Sequence, residues 1–175
     1  ANTFVGYFSG ATNVSGFHNV GVGSQSMTAN TIGAFNTAVG ETALFQNTTG
    51  MSNTALGSRT LHSNIDGDEN TAVGYEALLS NTTGNENVGV GGLSLFSNEN
   101  GEQNTAIGSQ SAQYNEAGSG NVSVGFAAGR LNENGNNNTL VGYQAGLGSD
   151  FHSKSGNVMI GYQAGLSDTT DNNLY

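Results

Sequence analysis

The chain has 175 residues, of which 28 are Gly, and it contains no Pro, Cys or Trp. Its formal net charge is −10, which argues against a nucleic-acid or anionic-membrane partner because both select for basic patches. The absence of Cys excludes disulfides and thiolate metal sites. No stretch has the pattern of a membrane-spanning helix, and the first residues show no signal-peptide pattern.

A 17-residue unit repeats along the chain, with one longer step of 19 residues near the end. Its clearest copy covers residues 70–86 and begins Asn-Thr-Ala-Val-Gly. Because this period is so strict, it predicts a parallel β-solenoid in which each copy forms one coil, with a length of roughly 45–50 Å. We interpret residues 1–175 as a single repeat array and as a slice of a longer fibrous protein. The opening Asn is place one of each coil: Asn2, Asn19, Asn36, Asn53, Asn70, Asn87, Asn104, Asn121, Asn138 and Asn157.

Places two to four are predicted to form a strand, because places two and four are almost wholly β-branched or otherwise aliphatic. The two places share one face, which we expect to line the inside of the coil. Place three is mostly Ala or Gly but becomes Phe4, Leu140 and Met159 toward the two ends. A row of small residues is typical either of solvent-exposed surface or of close approach by another backbone. The invariant Gly at place five predicts a turn with positive φ or close backbone packing.

Places six to eleven leave two alternatives open. Tyr75, Leu78 and Leu79 have the i, i+3, i+4 spacing of one helical turn. A short second strand or an irregular segment is favoured in the last three coils, where place nine is Gly129, Gly146 or Gly165. In the middle coils the spacing and composition do not separate the alternatives.

Place twelve predicts a ladder of stacked amides that bond the next coil or cap their own turn. A second Gly at place fifteen predicts the turn that closes the coil, and most of the acidic residues lie around it. The predicted ladder contains Asn13, Asn30, Asn47, Asn64, Asn81, Asn98, Asn115 and Asn132.

Place six carries aromatic residues in three consecutive coils: Phe126, Tyr143 and Tyr162. Stacking of the coils should align the rings into a flat apolar strip edged by phenol hydroxyls, which suits sugar rings. Gln144 and Gln163 follow Tyr143 and Tyr162 directly. The alternative is that the rings pack against place ten and only seal the end of the fibre.

The 19-residue coil contains an expected surface loop at residues 148–156. We expect Phe151 and His152 of this loop to lie beside the aromatic strip. The candidate ligand site therefore consists of Phe126, Tyr143, Gln144, Phe151, His152, Tyr162 and Gln163.

No catalytic constellation is recognisable. His18, His62 and His152 occupy three different places of the coil, so repetition cannot bring them together. The acidic turn at Asp66 and Asp68 occurs once and lacks EF-hand spacing. Calcium-binding β-helix repeats need Asp at a fixed place, which this unit lacks. We therefore predict a non-enzymatic chain with no cofactor and no metal site.

The motif Asn-Thr-Ala-Val-Gly, followed three residues later by Ala or Ser, resembles the head repeat of trimeric autotransporter adhesins. The segments Gly142–Leu147 and Gly161–Leu166, both Gly-Tyr-Gln-Ala-Gly-Leu, resemble repeats of bacterial surface and phage tail-fibre proteins. The resemblance implies a left-handed solenoid and a homotrimer with parallel coils. It also implies an extracellular location, either on the bacterial surface with an outer-membrane anchor elsewhere or on a virion tail fibre.

Three functions follow as hypotheses. The first is a trimeric adhesin or fibre segment that displays a rigid binding surface for host cells, glycans or matrix. In that trimer the small residues at place three would let three backbones approach around an axis, with Phe4, Leu140 and Met159 plugging its ends. The second is a purely structural spacer. The third is an ice- or crystal-binding face, which needs an outward row of Thr, whereas the Thr-bearing column is predicted to face inward.

Overall fold

A computed structural model describes residues 1–168 and 170–174. It contains ten three-residue strands, one per coil, in a single parallel sheet whose strands follow chain order. Pairing is in register, so that Ala72 pairs with Gly89 and Val73 with Val90. The predicted all-β parallel solenoid of about ten coils is confirmed, and no helix occurs among the described residues. The strands are β1 Thr3–Val5, β2 Val20–Val22, β3 Thr37–Val39, β4 Thr54–Leu56, β5 Thr71–Val73, β6 Val88–Val90, β7 Thr105–Ile107, β8 Val122–Val124, β9 Thr139–Val141 and β10 Val158–Ile160.

Backbone hydrogen bonds join the coils in the turns as well as in the strands. In the first turn of the coil, at places six to eleven, the Glu76 N–H donates to the Ser58 carbonyl at 3.1 Å. In the second turn, at places twelve to seventeen, the Thr82 N–H donates to the Glu99 carbonyl at 2.8 Å. Each coil is thus bonded to both neighbouring coils around its perimeter, which satisfies backbone groups that three-residue strands alone would leave unpaired.

Places six to eleven form a series of turns rather than a helical turn or a second strand. Glu76 and Leu78 have φ values of 54° and 52°, and the equivalent places of most other coils are also left-handed. A right-handed helix cannot contain alternate left-handed residues, so the helical alternative was wrong. The irregular conformation that we expected for the last three coils extends to all ten.

The predicted orientation of the strands was also wrong, because place three faces the interior and places two and four face outward. Ala38 and Ala55 are completely buried, whereas Val39 and Leu56 expose 39% and 38% of their surface. The reason is the width of the coil. In the central coils the opposite wall carries the fully buried place-nine side chains of Met27, Leu44, Leu61, Leu78 and Leu95, which leave room for little more than a methyl group.

Side-chain size at place three is matched to side-chain size at place nine across the coil. In the five coils from Asn19 to Asn87, place three is small, as at Ala72, and place nine is large, as at Leu78. Where place three is large, the facing place-nine residues are Gly. A Cβ on Gly10 would lie 2.6 Å from the Phe4 ring, and one on Gly146 would lie 2.7 Å from Leu140 Cδ2. Phe4, Leu140 and Met159 therefore fill coil interiors and do not plug a trimer axis.

The glycine at place five is required by both conformation and space. Gly74 has φ 132°, a value that L-residues rarely adopt. A Cβ there would lie 2.7 Å from the Gly91 carbonyl carbon in the next coil. Positive φ and close backbone packing, which were alternative reasons for this glycine, both apply.

Candidate functional site

The predicted amide ladder at place twelve is confirmed from Asn13 to Asn115. Asn81 Nδ2 donates to Asn64 Oδ1 at 2.8 Å and to the Gly84 carbonyl at 3.0 Å. Asn81 Oδ1 accepts from Asn98 Nδ2 at 2.8 Å. Each amide therefore bonds the neighbouring coils and also caps its own turn, so the two roles that we predicted as alternatives occur together.

A second ladder, which the sequence analysis missed, is formed by the Asn at place one. Asn70 Oδ1 accepts from the Asn87 backbone N–H at 3.0 Å, and Asn87 Nδ2 donates to the Gly101 carbonyl at 2.8 Å. Asn98 Nδ2 donates to the same Gly101 carbonyl. The place-fifteen carbonyl thus joins both ladders. The signal was present, because the opening Asn is as regular as the place-twelve Asn.

The outward strand face is a continuous row of β-branched and other aliphatic side chains. Places two and four contain no charged residue in any of the ten coils. The most exposed apolar members are Val5, Val20, Val39, Leu56, Ile107, Val122 and Ile160. Contiguous exposed apolar side chains of this kind are uncommon on the surface of a monomeric protein.

The predicted aromatic row is present on the surface as a stack. The Phe126 and Tyr143 ring centroids are 5.4 Å apart with planes inclined by 17°, and those of Tyr143 and Tyr162 are 5.5 Å apart with 11° between planes. Nearly parallel rings at these distances partly cover one another, so solvent meets mainly ring edges and hydroxyls rather than the predicted flat strip. Tyr143 exposes 45% and Tyr162 exposes 74% of its surface. Beside the stack, Gln163 Nε2 donates to Gln144 Oε1 at 2.9 Å.

Phe151 and His152 pack elsewhere, so the prediction that they adjoin the stack was wrong. The Phe151 ring packs edge-on against Tyr114, with centroids 5.2 Å apart. His152 Nδ1 lies 3.2 Å from Asn132 Oδ1. The loop folds toward the place-twelve ladder instead, because the coil that contains it has no Asn at that place.

The place-twelve ladder ends at Asn115, and the prediction that Asn132 belongs to it was wrong, because Asn132 Nδ2 does not donate to Asn115 and Asn132 bonds this loop instead. Asn132 Oδ1 receives no amide from the following coil and accepts instead from the Lys154 backbone N–H at 2.8 Å. The Lys154 carbonyl in turn accepts from Asn138 Nδ2 at 2.7 Å, as the place-fifteen glycine carbonyls do in other coils. Lys154 therefore stands where those coils have Gly, and its side chain is buried.

Burial controls the titration of this region. It lowers the pKa of His152 to about 4, and the positive charge of Lys154 acts in the same direction. It also lowers the pKa of Lys154, against the opposing influence of Asp168 and Asp171. In a central coil, burial beneath Phe45 and then the charge of Arg59 lower the pKa of His62. The three histidines lie in separate surroundings, as their places predicted.

The described residues contain neither a metal-ligand cluster nor a membrane-spanning helix. Within residues 1–168 and 170–174, no group of three or more His, Asp or Glu side chains could hold a metal ion. Over the same ranges, no helix is long and apolar enough to cross a membrane. No protein-family model, curated protein or solved structure matches the chain.

Proposed function

We propose that the chain is a non-enzymatic segment of an extracellular fibre or adhesin head, and that three copies associate through the outward strand face. The observation that carries this proposal is the uncharged face of Val, Leu, Ile and Thr side chains that follows all ten strands. Its area is on the order of 500 Å² per copy, if ten coils about 4.8 Å apart carry a two-residue-wide row. Three such faces would bury about 1,500 Å² in the whole trimer, or about 500 Å² per pairwise contact, which is below the roughly 1,200–2,000 Å² of a typical two-partner interface, so stable association needs all three contacts together.

The distribution of charge supports the same arrangement. The net charge of −10 keeps separate fibres apart in solution. The acidic residues lie mainly in the second turn, as at Glu99 and Glu116, and none lies in a strand. Three copies can therefore meet along their strands without bringing like charges together. The resemblance to adhesin heads and tail-fibre repeats points to the same trimer.

We expect light scattering at micromolar concentration to give a mass of about 53 kDa, three times the 17.8 kDa of one chain. Replacing Val39 and Leu56 by Lys should reduce it to the mass of one folded chain, because the two charges would be desolvated in the interface. Thr83→Lys, at an exposed turn position, is the matched control and should remain trimeric. A wild-type chain that is a monomer at this concentration contradicts the proposal.

We also propose that the stack of Phe126, Tyr143 and Tyr162 contacts a glycan or another host-surface receptor. Rings that only sealed the fibre would be covered by their neighbours, yet these three remain 41–74% exposed in the single chain. The stacked edges, phenol hydroxyls and the Gln144–Gln163 pair offer both apolar contact and hydrogen bonds to a sugar.

Replacing Tyr143 and Tyr162 by Ser should reduce glycan-array binding at least about tenfold, since each ring contributes roughly 1 kcal/mol or more of contact. Tyr75→Ser is the matched control, because Tyr75 occupies the same place between coils that carry Ser58 and Gly92 there. If the double variant loses trimer stability while any glycan binding is unchanged, the rings only seal the fibre and the chain is a spacer.

A second candidate function is an ice- or crystal-binding face. The observation that favours it is the outward orientation of the Thr-bearing column, contrary to the sequence prediction. In-register pairing repeats Thr and Val side chains along an uncharged sheet face. Such a regular array of side chains can order water. A monomeric chain that inhibits ice recrystallisation, and loses this activity in Thr54→Lys/Thr71→Lys, would favour this function over the trimer.

A further inference from the structure

The cavity in the 19-residue coil contains an ammonium group without a partner. Lys154 is 5% exposed, and its Nζ has no hydrogen-bond partner. No carboxylate of the described residues lies within 4.0 Å of it, since the ion pair they contain joins Arg59 and Glu76. A buried ammonium is costly unless it is paired, so the missing partner needs a physical explanation.

The surroundings of Lys154 form a small, partly open cavity. The cavity measures about 10 Å³, which is room for one water-sized body. Its polar lining comes from His152 and three Asn side chains, and its apolar lining comes from Leu140, Gly146 and Met159. The Asn138 and Asn157 amides are already bonded to the ladder at place one. No carboxylate lines the cavity, so nothing in its wall neutralises the lysine.

From this geometry we propose that the cavity binds a monatomic anion of the size of chloride, held by Lys154 Nζ. The small volume of the cavity favours a monatomic anion over a larger one such as sulfate. The site goes beyond the proposed fibre function and does not depend on it. A halide here would neutralise the Lys154 ammonium beside Asn132, just beyond the end of the place-twelve ladder. It would also hold the 148–156 loop to the coils on either side.

The charged groups around the cavity give the site a defined pH dependence. Burial lowers the pKa of Lys154, Asp168 and Asp171 oppose that change, and His152 titrates at about pH 4. The anion favours the ammonium form, so binding takes up a proton wherever Lys154 is partly neutral. Halide affinity should therefore fall as pH rises through the folded-state pKa of Lys154, and should not rise again at higher pH.

Bromide provides the direct test, because it replaces chloride and scatters anomalously. Crystals of the wild-type chain grown in sodium bromide should show an anomalous peak in the cavity with Lys154 Nζ as the nearest cation. Density without an anomalous signal would mean water only and would overturn the proposal. A Lys154–Asp168 ion pair occupying the space would overturn it equally.

A solution measurement separates a real site from binding at crystal concentration only. Lys154 is the only lysine in the chain, so [¹³C,¹⁵N]lysine labelling gives one side-chain signal. That signal should shift saturably with chloride or bromide and not with sulfate, at an ionic strength held constant with gluconate. Shifts that follow ionic strength alone contradict a specific site.

Thermodynamic linkage gives a second readout in solution. Chloride at ten times its Kd should raise the folded-to-unfolded ratio about tenfold relative to gluconate. Lys154→Met should abolish this effect. Arg130→Met is the matched control, because Arg130 lies outside the cavity beside Gln113 and Tyr114, and it should retain the effect. If the two variants respond alike to chloride, the anion acts elsewhere.

Discussion

Replacing Asn81 by Ala should lower the free energy of unfolding by about 3–5 kcal/mol, because the change leaves buried polar groups without partners. Asn64 Oδ1 would lose the hydrogen bond that it accepts from Asn81 Nδ2, and Asn98 Nδ2 would lose one of its two acceptors. The Gly84 carbonyl would keep only its bond from Asn70. Chemical denaturation followed by circular dichroism measures this loss.

The control for this change is another asparagine outside the ladders. Asn100 is exposed in the second turn, and Asn100→Ala should change stability by less than about 0.5 kcal/mol. Stacked coils can unfold in parts, so whole denaturation curves must be compared and not only their midpoints. A loss below about 1 kcal/mol for Asn81→Ala would mean that water replaces the amide and that the ladder contributes little.

The sequence predicted the coils and the place-twelve ladder because a 17-residue period leaves few ways to stack. It failed on the orientation of the strands, because the aliphatic column that contains Val39 and Leu56 was assigned to the interior by residue type alone. The decisive information was the pairing of sizes within a coil. Phe4 occurs with Gly10 and Leu140 with Gly146, which indicates that places three and nine face each other.

Other errors arose where inter-coil bonding overrides local preference. The spacing of Tyr75, Leu78 and Leu79 suits a helical turn, yet their segment directs its N–H groups to neighbouring coils. The stack at Phe126, Tyr143 and Tyr162 was predictable because it needs only three consecutive coils. Lys154 was missed because the two-residue insertion hid its alignment with the place-fifteen glycines.

Leu140 also fills space beside Gly129 in the preceding coil, which predicts a favourable coupling between Gly129 and Leu140. Leu140→Ala should cost about 2–5 kcal/mol, since Leu140 is 4% exposed and its removal leaves a cavity. Gly129→Ala should cost about 1–3 kcal/mol, because the new Cβ would lie 2.8 Å from Leu140 Cδ1. The double variant should lose about 1–2 kcal/mol less unfolding free energy than the sum of the two single losses. The reason is that the added methyl group enters space that Leu140 leaves.

The control cycle combines Gly129→Ala with Met159→Ala. Met159 is also buried, but its close contacts are with Gly146 and Gly165 rather than with Gly129. These two losses should add within about 0.5 kcal/mol, because Met159 does not contact Gly129 and the Leu140 side chain between them is kept. Equal coupling in both cycles would show that the interior relaxes as a whole. Coupling confined to Leu140 would show that this side chain fills space in the preceding coil as well as in its own, because place three points inward and leaves the outward face for a partner.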